Sequence, residues 1–308
     1  SRVIEWSLKN QFLVIIGVVF AVLGGVWAMK AMRLDAIPDL SDVQVIIYTE
    51  YPGQAPQVVE DQITYPISSK MLAVPFAKVV RGYSFFGFSF VYVIFEDGTD
   101  LYWARSRVLE YLNGLTGQLP SGVAPQLGPD ATGVGWAFMY TLNSQERSLA
   151  DLRSYQDWYL KYGLMSVDGV SEVASLGGFV RQYQVEVDPV KLRAYGIPLS
   201  KVKAAIQRSN NDVGGRLVEM AEREFMVRGL GYIKEVRDLE LVPLGAGPGG
   251  TPLYLSDVAN VSIGPEIRRG LADWNGEGET VGGVVVVRSG ADTLSTIARV
   301  KDRLAELK

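Results

Sequence analysis

The chain contains neither cysteine nor histidine in 308 residues. Together these absences remove disulfides, thiolate chemistry, Ser-His-Asp and Cys-His catalysis, and the usual zinc ligands. Any metal handled here meets carboxylates and carbonyls, which suit hard cations, or methionine thioethers, which suit soft ions such as Cu(I). A basic surplus is also missing: 30 Lys and Arg stand against 34 Asp and Glu, a net charge of −4. Without a basic stripe to displace counterions, nucleic acid is a poor partner. Glycine is plentiful, yet no cluster ends in Gly-Lys-Ser/Thr between a strand and a helix, so a phosphate loop is excluded. No nucleophile-and-base or acid–base constellation stands out, which argues against an enzyme.

What is present is one long apolar run, Phe12 to Met29, with no charge and no proline. At 1.5 Å per residue its 18 residues cover roughly 27 Å as a helix, close to the ~30 Å of a bilayer core. Trp27 stands where an interfacial anchor belongs. Before the run, residues 1–11 place Val3, Ile4, Trp6 and Leu8 between Arg2 and Lys9, the pattern of a helix lying in the headgroup zone. No Ala-x-Ala site follows, so the run reads as a retained span and not a cleaved signal. Its direction is left open, because Arg2 and Lys9 on one side balance Lys30 and Arg33 on the other.

After residue 35 the chain repeats a β-α-β grammar. A strand over 42–50 precedes a helix from Ala55 to Leu72, whose Val59, Ile63, Ile67 and Met71 recur at i+4. Pro66 inside that helix predicts a kink or an early end. Strands over 78–83 and 88–96 follow, the second apolar on both faces and so expected to be central and covered. Asp97 to Asp100 caps a helix to about Leu115, and a short strand near 125–127 closes a βαββαβ unit. A second unit opens with Trp136 to Leu142. It continues in a helix from Leu149 to Met165, with Leu149, Leu152, Tyr155 and Tyr159 as its apolar set, and a strand over 170–176. An insertion follows: a strand over 182–187, helices over 189–195 and 199–209, and strands around 216–220 and 223–228. Gly245 to Pro252 reads as flexible punctuation, and Trp274 to Arg288 as a hairpin ending in a buried strand. The amphipathic helix from Thr293 has no glycine cap and no return strand, so the second unit reads as incomplete.

Several side chains invite a functional reading beside a plainer one. Met29 and Met32 are spaced to present two thioethers, but packing at the end of a span explains them. Met71, Met139 and Met165 are expected to fill cores. The carboxylates at Asp39 and Asp42, and at Glu219, Glu222 and Glu224, read as loop and hairpin solvation. The segment Leu127 to Gly135 joins the two units, and its glycines and proline suit either a hinge or a linker.

Four stretches together carry a resemblance: DAIPDLSDVQV (35–45), YPGQAP (51–56), FEDGTD (95–100) with Trp103-Ala-Arg105, and GPDATGVGW (128–136). They resemble the heavy-metal efflux branch of the resistance–nodulation–division (RND) transporters, its copper/silver-type pumps above all, and the likeness runs the length of the chain. The resemblance implies an α+β fold: one transmembrane helix, then ferredoxin-like βαββαβ porter subdomains with an inserted α+β docking subdomain. It implies a cytoplasmic interfacial helix at 1–11 and the first of twelve spans at 12–29. The porter subdomains are then 35–130 and 131–179 with 271–308, and docking takes 180–270. It further implies proton-driven cation export from a bacterial inner membrane by a homotrimer, with a periplasmic adaptor and an outer-membrane channel as partners. The helix bearing Val59, Ile63, Ile67 and Met71 is implied to pack around the trimer's pore, and a hairpin at 212–222 to reach a neighbouring protomer. Trp136, Met139 and Glu172 become candidates for the border of the transport cleft. Relatives exporting zinc or cobalt tend to carry glutamate where Trp136 stands, which favours Cu(I) or Ag(I) as the transported ion, with no bound cofactor. Divalent-cation export, drug export and a membrane-anchored interaction module without transport are the competing expectations. The proton relay and the main metal site are expected beyond Lys308.

Overall fold

The computed structural model describes residues 2–31, 40–115, 117–220, 223–229, 231–247, 250–268 and 270–308. Met32, the segment 35–39 with its Asp39, and Glu222 lie outside the described residues. Arg2–Lys9 is a helix exposing Ile4, Trp6 and Leu8. Gln11–Ala31 follows as a 21-residue helix of roughly 32 Å, with Phe12, Ile15, Phe20, Leu23 and Trp27 all exposed. A helix apolar on every side has no soluble core to face, and lipid is its matching solvent. Among the described residues it is the one helix long and apolar enough to cross a membrane.

The first soluble sheet contains β1 (Gln44–Glu50), β2 (Ala77–Phe85), β3 (Phe88–Phe95) and β4 (Gln126–Leu127), in the order β2-β3-β1-β4 with antiparallel neighbours. Strand alternation sends Val45 and Ile47 of β1, and Val91 and Val93 of β3, into one fully buried layer. Helices at 56–71 and Leu101–Asn113 cover that layer with Val59, Ile63, Ile67, Met71, Ala104 and Val108. Asp100 caps the second helix, its Oδ1 accepting from the Trp103 amide at 2.7 Å. Gly87, at φ +72°, makes the tight turn between β2 and β3. β3 is central, but on its other face Phe88, Phe90 and Tyr92 are half-buried and not fully covered as its composition predicts.

Both long helices contain a π-turn, Glu60–Thr64 and Gln156–Leu160, closed by Tyr65 N–H to Glu60 O and Lys161 N–H to Gln156 O. The cause is the spacing of the buried positions: 59, 63, 67 and 71 in one helix and 152, 156, 160 and 164 in the other. Each four-residue step overshoots an α-helical turn by about 40°, so a strict series of four needs one widened turn to stay on one face. The π-turn also carries the first helix through Pro66, which falls at the start of the next α segment. The helix does not end there but runs on to Met71.

Each widened turn also buries a polar side chain and pins it inside. Thr64 Oγ1 lies 2.8 Å from both Ser84 Oγ and Ser89 Oγ, beside Gly82. Gln156 is fully buried; its Oε1 accepts from Tyr140 Oη at 2.8 Å, while its Nε2 donates to Ser175 Oγ at 3.4 Å. The apolar set predicted for the second helix is therefore corrected. Tyr155 and Tyr159 face outward, stacked at 5.0 Å between ring centroids, and Gln156 takes the inner position.

β5 (Trp136–Leu142) and β6 (Val170–Gly177) bracket that helix. The chain then runs through β7 (Arg181–Val187), β8 (Val213–Met220), β9 (Arg223–Gly229), β10 (Pro243–Ala246), β11 (Pro252–Tyr254) and β12 (Ala259–Pro265). It returns as β13 (Val281–Val287), which lies between β5 and β6 and buries all seven residues. The last helix, Thr293–Leu307, buries Val300 with Val173, Val285 and Leu164.

By compactness one unit comprises residues 1–142, 155–176 and 282–308, and a second comprises 143–154 and 177–281. The second has its own core, with Val202, Leu244, Leu253, Leu255 and Val258 at its centre. In it β12 pairs with β7, β8 with β9, and β10 with β11. Two expectations change there. Gly245 to Pro252 joins a short hairpin, with Gly245 at φ +122° at a register shift. Trp274 to Arg288 is no extended hairpin: a single bridge pairs Asp273 with Glu279, closed by the Gly276 amide on Asp273 Oδ1 at 2.6 Å.

Candidate functional site

The segment Leu127 to Gly135 is tied down along its length. The Gly128 amide donates to Ile46 O of β1 at 2.7 Å, and Gly128 O accepts from Arg105 Nη1 at 2.7 Å. The Val287 amide donates to Gly135 O at 2.8 Å. Gly128 and Gly135 are buried, and an added Cβ would approach Ile46 Cβ to 3.2 Å and Val287 O to 3.1 Å. Space selects these glycines, since neither has a positive φ.

Between them, Asp130 gathers distant chain. Its carboxylate accepts from the Ser171 hydroxyl, from Tyr102 Oη at 2.9 Å and from the Arg288 guanidinium at 3.1 Å. Its backbone carbonyl accepts from the Ser289 amide at 2.9 Å. Burial alone would raise the Asp130 pKa, but the Ser171 and Tyr102 hydrogen bonds and the Arg288 charge outweigh it, and the net direction is down. The residue stands inside the motif GPDATGVGW, where the glycines and proline drew the hinge reading. Nothing local marks the carboxylate as the node.

The three predicted cleft residues do not converge. Trp136 and Met139 are both exposed on β5, and their three-residue separation puts them on opposite faces of the strand. Met139 and Met165 are exposed, against the core expectation that Met71 alone meets. Glu172 is half-buried on β6, at the other edge of that sheet. It faces the first sheet closely enough to act on Tyr48, whose phenol is pushed up by burial first and then by the Glu172 and Glu50 carboxylates. Tyr48 Oη donates to Gln126 Oε1 at 2.6 Å. Among the described residues no three Asp or Glu side chains are grouped to hold a metal ion.

The open face of the first sheet forms a concavity of about 560 Å³ lined by Gln44, Arg81, Tyr83, Phe85, Phe90, Tyr92 and Ile94. Tyr83 meets Tyr92 edge-on at 5.6 Å, and Phe85 meets Phe90 at 6.0 Å. The alternation Phe88, Phe90, Tyr92, Ile94 is its signal in the sequence.

The AcrB/AcrD/AcrF family matches residues 3–308. The chain is 57% identical over 311 residues to the cation efflux system protein CusA of Escherichia coli (strain K12), covering 99% of this chain and 30% of that protein. To the cation efflux system protein SilA of Salmonella typhimurium it is 56% identical over 311 residues, with the same coverage of 99% and 30%. The crystal structure of a heavy metal efflux pump matches with a TM-score of 0.84 at 32% identity, over 98% of this chain and 30% of that one. The chain belongs to the AcrB/AcrD/AcrF family of RND transporters. Within that family it falls in the heavy-metal efflux branch, of the Cus/Sil type. It spans about 30% of the length of the curated relatives it matches.

Proposed function

We propose that this chain is the part of a proton-driven cation antiporter that exports Cu(I) and Ag(I) from a bacterial inner membrane, with its soluble bulk in the periplasm. The observation that carries the reading is 57% identity to CusA across 99% of the chain. A chain with no Cys or His also agrees with a soft-ion route built from thioethers, the ligands that suit Cu(I). In this reading 12–29 is the first transmembrane helix and 1–11 its cytoplasmic interfacial helix. Residues 35–130 are the first porter subdomain, and 131–179 with 271–308 the second. Residues 180–270 are the docking subdomain. The antiparallel order β2-β3-β1-β4 supports a ferredoxin-like plan for the first.

The pump works as a homotrimer with a periplasmic adaptor and an outer-membrane channel. Val59, Ile63, Ile67 and Met71 are buried in their own sheet, so contact at the trimer's pore falls to the opposite side of that helix, at Glu60, Asp61 and Tyr65. The β8–β9 hairpin exposes Leu217, Phe225 and Met226, which suits its proposed reach to a neighbouring protomer. Met139 and Glu172 border the transport cleft, whereas Trp136 lies on the other face of β5, with Phe138 and Tyr140. The test is the full-length pump in proteoliposomes with an imposed pH gradient, given Ag(I) or Zn(II). Silver flux that consumes the gradient is expected. Tight zinc binding with no silver binding sinks the reading.

A further inference from the structure

We propose that Asp130 is a positioning residue for the transport cleft, holding Glu172 in register with the first sheet. This rests on the reading of Glu172 as a cleft residue.

A carboxylate in a turn ordinarily bonds its own neighbours a residue or two along. Asp130 instead accepts from hydroxyls 28 and 41 positions away, at Tyr102 and Ser171, and from the Arg288 guanidinium. Its partners sit on three different elements: the helix Leu101–Asn113, strand β6, and the exit of β13. Ser171 is the chain neighbour of Glu172. On the other branch, the Arg288 amide donates to Gly169 O at 2.9 Å and the Val287 amide to Gly135 O at 2.8 Å, the residue before Trp136. On the side of the first sheet, Gly128 is bonded to Ile46, two residues from Tyr48, and is held from the helix by Arg105. The charged and titratable groups around Asp130 are thus Tyr102, Arg105 and Arg288. One carboxylate closes the circuit that joins Tyr48 and Glu172 to the start of β5.

Carboxylate geometry is essential to this. Both oxygens accept: one serves Ser171, the other Tyr102 and Arg288. An Asn in its place turns a donor toward a donor on one branch or the other and removes the charge opposite Arg288.

The experiment uses the full-length pump with Asp130→Asn, read by hydrogen exchange and by the silver dependence of transport. Exchange over 127–135 and 170–176 is expected to quicken about tenfold, as loss of a charge-assisted hydrogen bond implies. The half-maximal silver concentration should rise severalfold while the maximal rate stays within about twofold, the signature of lost binding rather than lost turnover. Faster exchange with unchanged silver dependence makes Asp130 a brace only and overturns the proposal, as does no change in either. If Asp130→Asn fails to fold, Ser171→Ala and Tyr102→Phe each remove one bond and must give the same split on a smaller scale. Glu172→Gln runs in parallel. If it leaves the silver dependence unmoved, the cleft reading fails, whereas a silver effect in that variant alone overturns Asp130.

Discussion

The helix at 56–71 and the helix at 149–165 solve one packing problem with different chemistry. Each carries a strict four-residue buried stripe, each widens one turn to keep it aligned, and each anchors the widened turn through a buried polar side chain. In the first helix the anchor is a cluster of hydroxyls, Thr64 with Ser84 and Ser89. In the second it is an amide, Gln156, held by a phenol and a hydroxyl. Short hydroxyls can repartner among themselves, whereas Gln156 and Tyr140 form a specific pair. The first anchor should therefore tolerate change better than the second.

Glycine substitutions give the largest effect. A Cβ on Gly282 would stand 2.4 Å from Tyr140 O, a backbone atom with nowhere to go. Gly282→Ala is expected to lower stability by roughly 3 kcal/mol or more. A Cβ on Gly82 would meet the Thr64 methyl at 2.5 Å and the Ser68 hydroxyl at 2.9 Å, side-chain atoms and not backbone, although Thr64 is held by its two hydroxyl bonds. Gly82→Ala should lose about 1–2 kcal/mol. Thermal unfolding of the intact protein measures both, and equal losses would break the contrast.

Next come the anchors. Gln156→Met leaves the Tyr140 hydroxyl buried without its partner and should lose about 2 kcal/mol, most of it restored by adding Tyr140→Phe. Thr64→Val removes one partner from a set of three hydroxyls and should lose about 1 kcal/mol. A double-mutant cycle with no coupling between 140 and 156 would remove the distinction. Tyr140 offers a second readout, because burial pushes its phenol up to about 12 against the lowering effect of Gln156. Absorbance titration should find it protonated well past the usual tyrosine range in the folded protein.

Smaller still is the acid response of Asp130. Its pKa is lowered on folding, so its contribution is complete above the ordinary carboxylate value of 3.8 and is lost as pH falls through the lower folded value. Between pH 7 and about 5 its contribution is full and constant, so Asp130→Asn should be less stable by the same amount across that range, and the gap should close only in acid. A gap that already changes between about pH 7 and 5 would contradict the sign. The smallest effect belongs to Glu279→Gln, which breaks a two-bond ion pair with Arg268 in the second unit. The pair sits at the surface, and no measurable change in the unfolding midpoint is expected.

Much of this fold is written in local pattern. The alternation in β1 and β3, the Asp100 cap and the valine run of β13 each follow from side chains within a few residues of one another. The first π-turn is not in that reading: the spacing 59, 63, 67, 71 is read as an ordinary helical stripe, and its unbroken four-residue step gains meaning only beside the structure. Its counterpart at 152, 156, 160, 164 was obscured because Gln156 is polar, while Tyr155 and Tyr159 look like core. Covering of β3 failed for another reason: apolar composition says that a face wants burial, not that a layer is there. Asp130 was out of reach, because its meaning lies in Tyr102, Ser171 and Arg288, which no spacing rule connects. The cleft candidates came from resemblance, and only the pleat of β5 reveals that Trp136 and Met139 look in opposite directions.

The π-turns also bear on how this chain varies among its kin. A widened turn holds one residue more than the α-helix around it, so removing that residue restores a regular helix without disturbing either end. Everywhere else in these two helices a deletion would rotate the downstream stripe by about 100° away from its sheet. Lineages of this family should accordingly keep both helices constant in length except for single-residue gaps confined to Glu60–Thr64 and Gln156–Leu160.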